Sequence, residues 1–473
     1  MKINLKSVKS IPDVPDVGFD TIGNATVIIY DQQKSVVCTD PWIEGPAYFG
    51  SWTFSHEIPE QQRRAILDCP FIWFSHGHPD HLNPNSIDLF KGKTILLPDH
   101  VGQRIKTDLE AMGHLTKTLP DREWVSLSSR VRVMCIADYY QDAILLMDVN
   151  GKLLVDLNDA LDRGWGSFLR KIIKKYDVSF LLSLFGYGDA DMINFRDEEG
   201  VLIPPKAALK HPVGKSIAAT TSSLGVGYFI PFSSMHRYQR SDSIWAEEYI
   251  TRLEDYEKGF ESKTCEILPA FIRFNAATLE YAPINPPESL ITVHAPEVFG
   301  DHASEMLEAS DVNRIQSYFN TIEHLKSFLD FIELRVGGKD YSIEFGKSGF
   351  KRGMRFEVPR GSLMTAIDYR IFDDLLIGNF MKTTLIGKWP KSRLYPDFTP
   401  YVARYADNAN ARTQEELREY FRHYQKRRPI EWFFHSLEQR SIDLFRAKVE
   451  GGSPVFESGK KAYWWLKGIR KLS

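Results

Sequence analysis

The chain has 473 residues, enough for two or three domains with sizeable cores. Apolar residues make up 43%, charged residues 26%, and the formal net charge is -3, which fits an ordinary globular protein and not a nucleic-acid binder. No stretch approaches the ~18 apolar residues of a membrane span, the first ten residues lack a signal-like apolar run, and the four cysteines are scattered without a CxxC pair. These features lead us to expect reduced core thiols in a cytoplasmic protein.

The predicted elements begin with close-spaced strands at 17–23, 25–30 and 35–39, the last running into Thr39-Asp40-Pro41-Trp42. An apolar strand follows at 71–74, then another at 94–97. Strands are expected at 131–137, 143–149 and 152–156, with Asn150-Gly151 between the last two as a strong hairpin signal. A helix over 161–175 and a strand over 178–184 come next. A strand at 226–231 leads into Ser233-Ser-Met-His236-Arg. Strands on both sides of helical segments predict two sheets packed between helices.

Asn285-Pro-Pro-Glu288 marks an expected boundary, because consecutive prolines continue neither a helix nor a central strand. The chain is therefore divided into 1–282 and 283–473. The second part reads as a helical segment over 311–331, β-like runs at 342–345 and 355–358, and a further run at 373–385. Thr413-Gln-Glu-Glu416 is a capping box opening a polar helix with Tyr420, Phe421 and Tyr424 on one face. This part is expected to be an α+β domain with a helical end.

The strand at 71–74 delivers Ser75-His76-Gly-His78-Pro-Asp80-His81. Three imidazoles and a carboxylate within six residues, on one loop at a strand end, are the donors that borderline or hard divalent metals prefer. Four such ligands can serve two ions side by side. This loop resembles the signature of the metallo-β-lactamase fold, and Thr39-Asp40-Pro41-Trp42 resembles that fold's early strand end, where the aspartate braces the loop. The resemblance implies an αββα sandwich, followed here by the α+β domain. It also implies ligands on later loops. Asp159 matches the bridging aspartate, with Asp156 close enough to compete, and His236 matches the last histidine. The family's third histidine for the first metal has no counterpart between His114 and His211. Asp138 stands at that strand end, with Asp142 as an alternative; the other reading of Asp138 is a solvated or capping aspartate. A carboxylate there makes the cluster harder and favours iron over zinc, with manganese also suited to oxygen donors.

Val131-Arg-Val-Met134, the segment 152–159, Phe185-Gly-Tyr-Gly188 and Tyr228-Phe-Ile-Pro-Phe232 are also similar to the catalytic region of CMP-N-acetylneuraminate hydroxylases. That resemblance implies a diiron oxygenase with dioxygen as cosubstrate. His76, His78 and Asp138 would hold one ion, Asp80, His81 and His236 the other, with Asp159 bridging; Asp80 and Asp159 are the catalytic carboxylates. The Cys-x-His pairs of a Rieske element are absent from this sequence. An oxygenase would then draw electrons from a separate donor protein or from its small-molecule substrate. The competing reading is hydrolysis of an ester, thioester, lactone or phosphodiester by a metal-activated hydroxide. A third is a scaffold that has lost catalysis.

Weaker candidates surround this site. Tyr187, Asp189, Asn194 and Arg196 follow a strand on the expected metal side and suit polar substrate groups, or else form a surface turn. Tyr139 lines the pocket or packs as a buried aromatic. The basic, aromatic C-terminus 459–473 docks on the fold or meets an anionic membrane surface, docking being the preferred reading.

Overall fold

The computed structural model describes residues 4–441 and 458, apart from 163, 187–192, 347–351, 391–392, 396, 431, 434–435 and 438–439. Three larger sheets stand out among these residues. A nine-stranded sheet runs in the order Lys6–Ser7, Glu280–Pro283, Ile272–Asn275, Val17–Ile22, Thr26–Asp31, Lys34–Thr39, Phe71–Trp73, Thr94–Leu97, Leu115–Thr118. A seven-stranded sheet runs Glu266–Ile267, Tyr228–Pro231, Ser179–Ser183, Lys152–Asn158, Ala143–Val149, Val131–Ala137, Val125–Ser126.

Period-two alternation explains why these two sheets pack face to face. Val27, Ile29, Val133, Cys135, Leu154, Phe180 and Leu182 share one core between the sheets. Their chain neighbours Ile28, Met134, Ile136, Leu153, Val155 and Leu181 lie in another, together with Ile66, Leu169, Ile172, Ile217 and Leu224 from helices. Strands apolar on both faces must be covered on both, so helices Glu60–Asp68, Gly166–Ile173 and Val213–Leu224 form outer layers. This is the expected αββα sandwich of the metallo-β-lactamase fold. The Asn150-Gly151 hairpin forms as the dipeptide predicts, with φ of 51° and 73° and Val149 paired to Lys152.

Strand direction fixes where the loops emerge. Lys34–Thr39, Phe71–Trp73 and Thr94–Leu97 are parallel, as are Lys152–Asn158, Ser179–Ser183 and Tyr228–Pro231. The loops carrying Asp40, His76–His81, Asp159 and His236 all follow C-terminal ends of these strands, the usual edge for ligand sites in such sheets.

A five-stranded sheet is built from Phe331–Val336, Lys339–Glu344, Arg352–Glu357 and Lys382–Gly387, with Phe195–Arg196 as an edge strand paired to Lys382–Gly387. Its core joins Ile332, Leu334, Met354 and Phe356 to helices Ala309–Asn320, Arg360–Tyr369 and Phe372–Ile377. The helix expected over 311–331 ends at Asn320. Phe331-Ile-Glu-Leu-Arg-Val336 alternates buried and half-buried residues, so the strand pattern wins there. Likewise the helix expected over 161–175 begins only at Gly166. The capping box closes as read: Thr413 Oγ1 accepts from the Glu416 N–H at 3.2 Å, and Glu416 accepts from the Thr413 N–H at 2.9 Å. Among the described residues no helix is long and apolar enough to cross a membrane.

Arg240 ties the sandwich to this second region. Fully buried, it meets Asp301 at 2.7 Å, donates to the Phe49 carbonyl at 2.9 Å and lies 4.0 Å over the Phe380 ring. Asp301 in turn accepts the Ser362 N–H at 2.8 Å. Removing one partner of such a pair leaves a buried charge uncompensated. Arg240→Ala is therefore expected to cost about 3–5 kcal/mol in chemical denaturation, whereas an exposed pair such as Arg335–Asp340 should cost under about 1 kcal/mol.

Candidate metal centre

Each imidazole of the loop uses its two nitrogens differently. His76 Nε2 lies 2.8 Å from His78 Nδ1 and 3.8 Å from Asp159 Oδ2. His81 Nε2 lies 3.7 Å from Asp159 Oδ2 and 3.4 Å from Asp80 Oδ2, and despite full burial it has no hydrogen-bond partner among the described residues. His76, His81 and Asp159 thus bring one donor atom each within 4.8 Å of one another. The outward nitrogens meet oxygens instead: His76 Nδ1 meets Ser75 Oγ at 2.9 Å, His81 Nδ1 meets Asp40 Oδ2 at 3.3 Å, and His78 Nε2 meets Asp373 Oδ2 at 3.1 Å.

The carboxylates are held from behind. Asp80 accepts from Tyr48 Oη at 2.6 Å on Oδ1 and from Asn24 Nδ2 at 2.9 Å on Oδ2. Asp159 Oδ1 accepts from Ser233 Oγ at 3.1 Å, leaving Oδ2 for the centre. Asp156, the competing position, is fully buried, its Oδ1 taking the Asn158 N–H. Burial and the charge of Asp40 push its carboxyl well above the usual range.

The electrostatics demand positive charge at the centre. Burial opposes protonation of His78, yet Asp373, Asp374 and Asp80 hold its pKa up at about 10. Burial likewise opposes protonation of His81, and Asp80 and Asp40 overcome it. His76 goes the other way, to about 4, through burial and its two imidazole neighbours. Burial would raise Asp159, but His81, His76 and His78 keep it well below the usual carboxylate range. Two abutting imidazole nitrogens, an orphaned Nε2 and carboxylates aimed inward fit a cation held by nitrogen and oxygen.

His236 stacks on Trp52, with ring centroids 3.4 Å apart and planes at 1°. Both its nitrogens are buried without a hydrogen-bond partner among the described residues, and burial lowers its pKa to about 3. It lies outside the close group of His76, His81 and Asp159, but the charge of Asp80 acts on it.

Asp138 also stands outside that group. It is buried and lines a cavity with Arg122, Trp165, Tyr424, Arg427 and Trp432. Asp142, two residues past Tyr140, is among the charges that act on His76. Tyr139 packs on Tyr140 and Trp432 at 4.5 and 5.0 Å between centroids, and its carbonyl accepts from Tyr420 Oη. Asn194 donates to the Asn379 carbonyl, and Arg196 to the Gly200 carbonyl beside the third sheet. Tyr187, Asp189 and the C-terminal 459–473 lie outside the described residues. The second group of donors, His78 with Asp373 and Asp374, was not foreseen from the sequence. Asp373-Asp374 carries no spacing motif of its own; an acid pair inside the apolar run Phe372–Ile377 was the available signal.

Metal bound to the folded state at a hundredfold over its dissociation constant adds about 2.7 kcal/mol of stability. Stripping with a chelator is therefore expected to lower the melting temperature and divalent ions to restore it. His76→Ala should abolish that restoration; a melt indifferent to chelation would count against a metal site.

No family model matches the chain. It is similar to the cytidine monophosphate-N-acetylneuraminic acid hydroxylase of Asterias rubens, with 27% identity over 140 residues, 28% of this chain and 21% of that protein. A Mycolicibacterium smegmatis protein named as a Rieske 2Fe-2S iron–sulfur protein is 32% identical over 95 residues, 20% of this chain and 18% of that one. Among solved structures, CmlA, a diiron beta-hydroxylase from Streptomyces venezuelae, superposes with a TM-score of 0.34 and 10% identity over 56% of this chain and 55% of that one. The chain thus spans about a fifth of the length of the curated relatives it matches. Layer order, loop position and partial sequence similarity together describe a metallo-β-lactamase-fold protein that resembles the catalytic region of CMP-N-acetylneuraminate hydroxylases.

Proposed function

We propose that the protein is a dinuclear-metal oxygenase, with iron as the metal, that hydroxylates or N-oxygenates a small polar, nucleotide- or sugar-linked substrate. The observation that carries this reading is the convergence of His76 Nε2, His81 Nε2 and Asp159 Oδ2, with His78 Nδ1 against His76 Nε2, where the loops of both sheets meet. His76 and His78 would hold one ion and Asp80, His81 and His236 the other, with Asp159 between them. The partial similarity to proteins named as hydroxylases supports oxygenation. Bound there, an iron pair would supply the one-electron chemistry that dioxygen requires.

The chain's own side chains do the rest. Asp40 and Ser75 fix the rings of His81 and His76, and Tyr48 and Asn24 fix Asp80. Buried Trp52, stacked on His236, keeps water from that flank, whereas the side chains of His78 and Asp159 remain 22% and 26% exposed and mark the approach for substrate. Hydroxylation consumes two electrons and two protons beyond dioxygen, so a separate electron-donor protein, or the substrate itself, is part of the proposal.

One observation favours the hydrolytic reading. The close group of donors, His76, His81 and Asp159, offers two imidazoles to one carboxylate, a set that suits zinc as well as iron. A metal-activated hydroxide would then attack an ester, thioester, lactone or phosphodiester. The two readings separate on one preparation. An oxygenase should purify with about two iron ions per chain and consume dioxygen when reduced in the presence of substrate. Zinc at that stoichiometry, with no oxygen uptake and with turnover of an ester or phosphodiester, would replace it by the hydrolase.

A further inference from the structure

We propose that Asp373 is a positioning residue for His78, so that the region beyond residue 283 orients a ligand of the metal centre. The inference rests on the metal reading above and deepens it. In His76 and His81 one nitrogen faces the shared centre and the other meets a bracing oxygen, and His78 turns one nitrogen to His76 and the other to an oxygen. Ser75 braces His76 and Asp40 braces His81, both from the sandwich itself. His78 takes its brace from 295 residues further along the chain, Asp373 Oδ2 at 3.1 Å from Nε2. This leaves Nδ1, 2.8 Å from His76 Nε2, as the nitrogen available to a metal. Carboxylates in this place fix the tautomer and orientation of a ligating imidazole and raise its basicity.

The brace is rigid because its helix is anchored in the second core. Phe372 is fully buried, its ring 5.3 Å from Phe319 and 5.2 Å from Phe356, and Leu375 and Leu376 are buried beside it. The preceding turn is pinned across the boundary by Arg104, which donates to the Arg370 carbonyl at 2.7 Å and to that of Tyr369. Asp373 itself is 14% exposed, so its side chain is screened from water while it meets His78. Its neighbour Asp374 is buried too and adds negative charge on the same side of the imidazole.

Cobalt(II) titration of the full chain, read by the visible ligand-field spectrum, tests the inference without any substrate. Asp373→Ala is expected to weaken the tighter cobalt site 10–100-fold and to change its band shape. Asp373→Asn, near-isosteric and still offering an acceptor oxygen to Nε2–H, should recover most of that affinity and keeps the test readable if the alanine variant folds poorly. Wild-type cobalt affinity and spectrum in both variants, even with a lower melting temperature, would overturn the inference and leave Asp373 as a structural residue alone. A wild-type chain that takes up no cobalt at all would overturn the metal reading, and this inference with it.

Discussion

The site depends on one buried carboxylate that grips the histidine loop at two points and the end of a strand from the other sheet. Asp40, fully buried at the end of Lys34–Thr39, accepts the Ser75 N–H at 2.7 Å on one oxygen. Its other oxygen takes Asn158 Nδ2 at 2.9 Å and lies 3.3 Å from His81 Nδ1. Its own backbone is tied as well, with its N–H on the Trp73 carbonyl at 2.8 Å and its carbonyl accepting Thr26 Oγ1 at 3.1 Å. The ends of strands from both sheets are thereby set at one spacing, and a left-handed φ of 39° turns the chain there. The histidine loop begins at the residue Asp40 grips, so its geometry follows from this junction. The cost of burying this carboxylate is offset by hydrogen bonds to both of its oxygens.

What could be read from the sequence divides along physical lines. The sandwich and the histidine loop were legible because their signals are local: alternation of period two, Asn150-Gly151, and four donors within six residues after an apolar strand. Asp159 outranked Asp156 for a reason visible only in space, since Asp156 faces inward behind Asn158 while Asp159 lies past the turn. Asp138 is a candidate that only its position at a strand end suggested; it is buried and lines a cavity with Arg122 and Trp165. The helix expected over 311–331 overran because the sequence there lacks a strong stop before the strand at Phe331. Asp373 was illegible for a different reason. Its partner is a helix core away, and no periodicity links positions so remote.

The electrostatic picture unites these features. Asp40, Asp80, Asp159 and Asp373 lie around three imidazoles in surroundings that exclude most water, and their charge draws His78 and His81 toward the protonated form against burial. Such an arrangement is poor as a packing core, since burying paired charges rarely beats apolar contacts. It is well suited to exchange its protons for a harder cation, the linkage by which metal uptake becomes folding energy.

The two-residue strand Phe195–Arg196 has a consequence for how the chain can be divided. It belongs by sequence to the sandwich, yet it hydrogen-bonds to Lys382–Gly387 in register Phe195 with Thr383 and Arg196 with Thr384. Severing the polypeptide near the proline pair would leave the later fragment with a bare ladder of amides and carbonyls. Exposed ladders of that kind recruit other chains. The two halves are therefore stitched like a seam, not joined like beads, and neither is a cassette that can be lifted out intact.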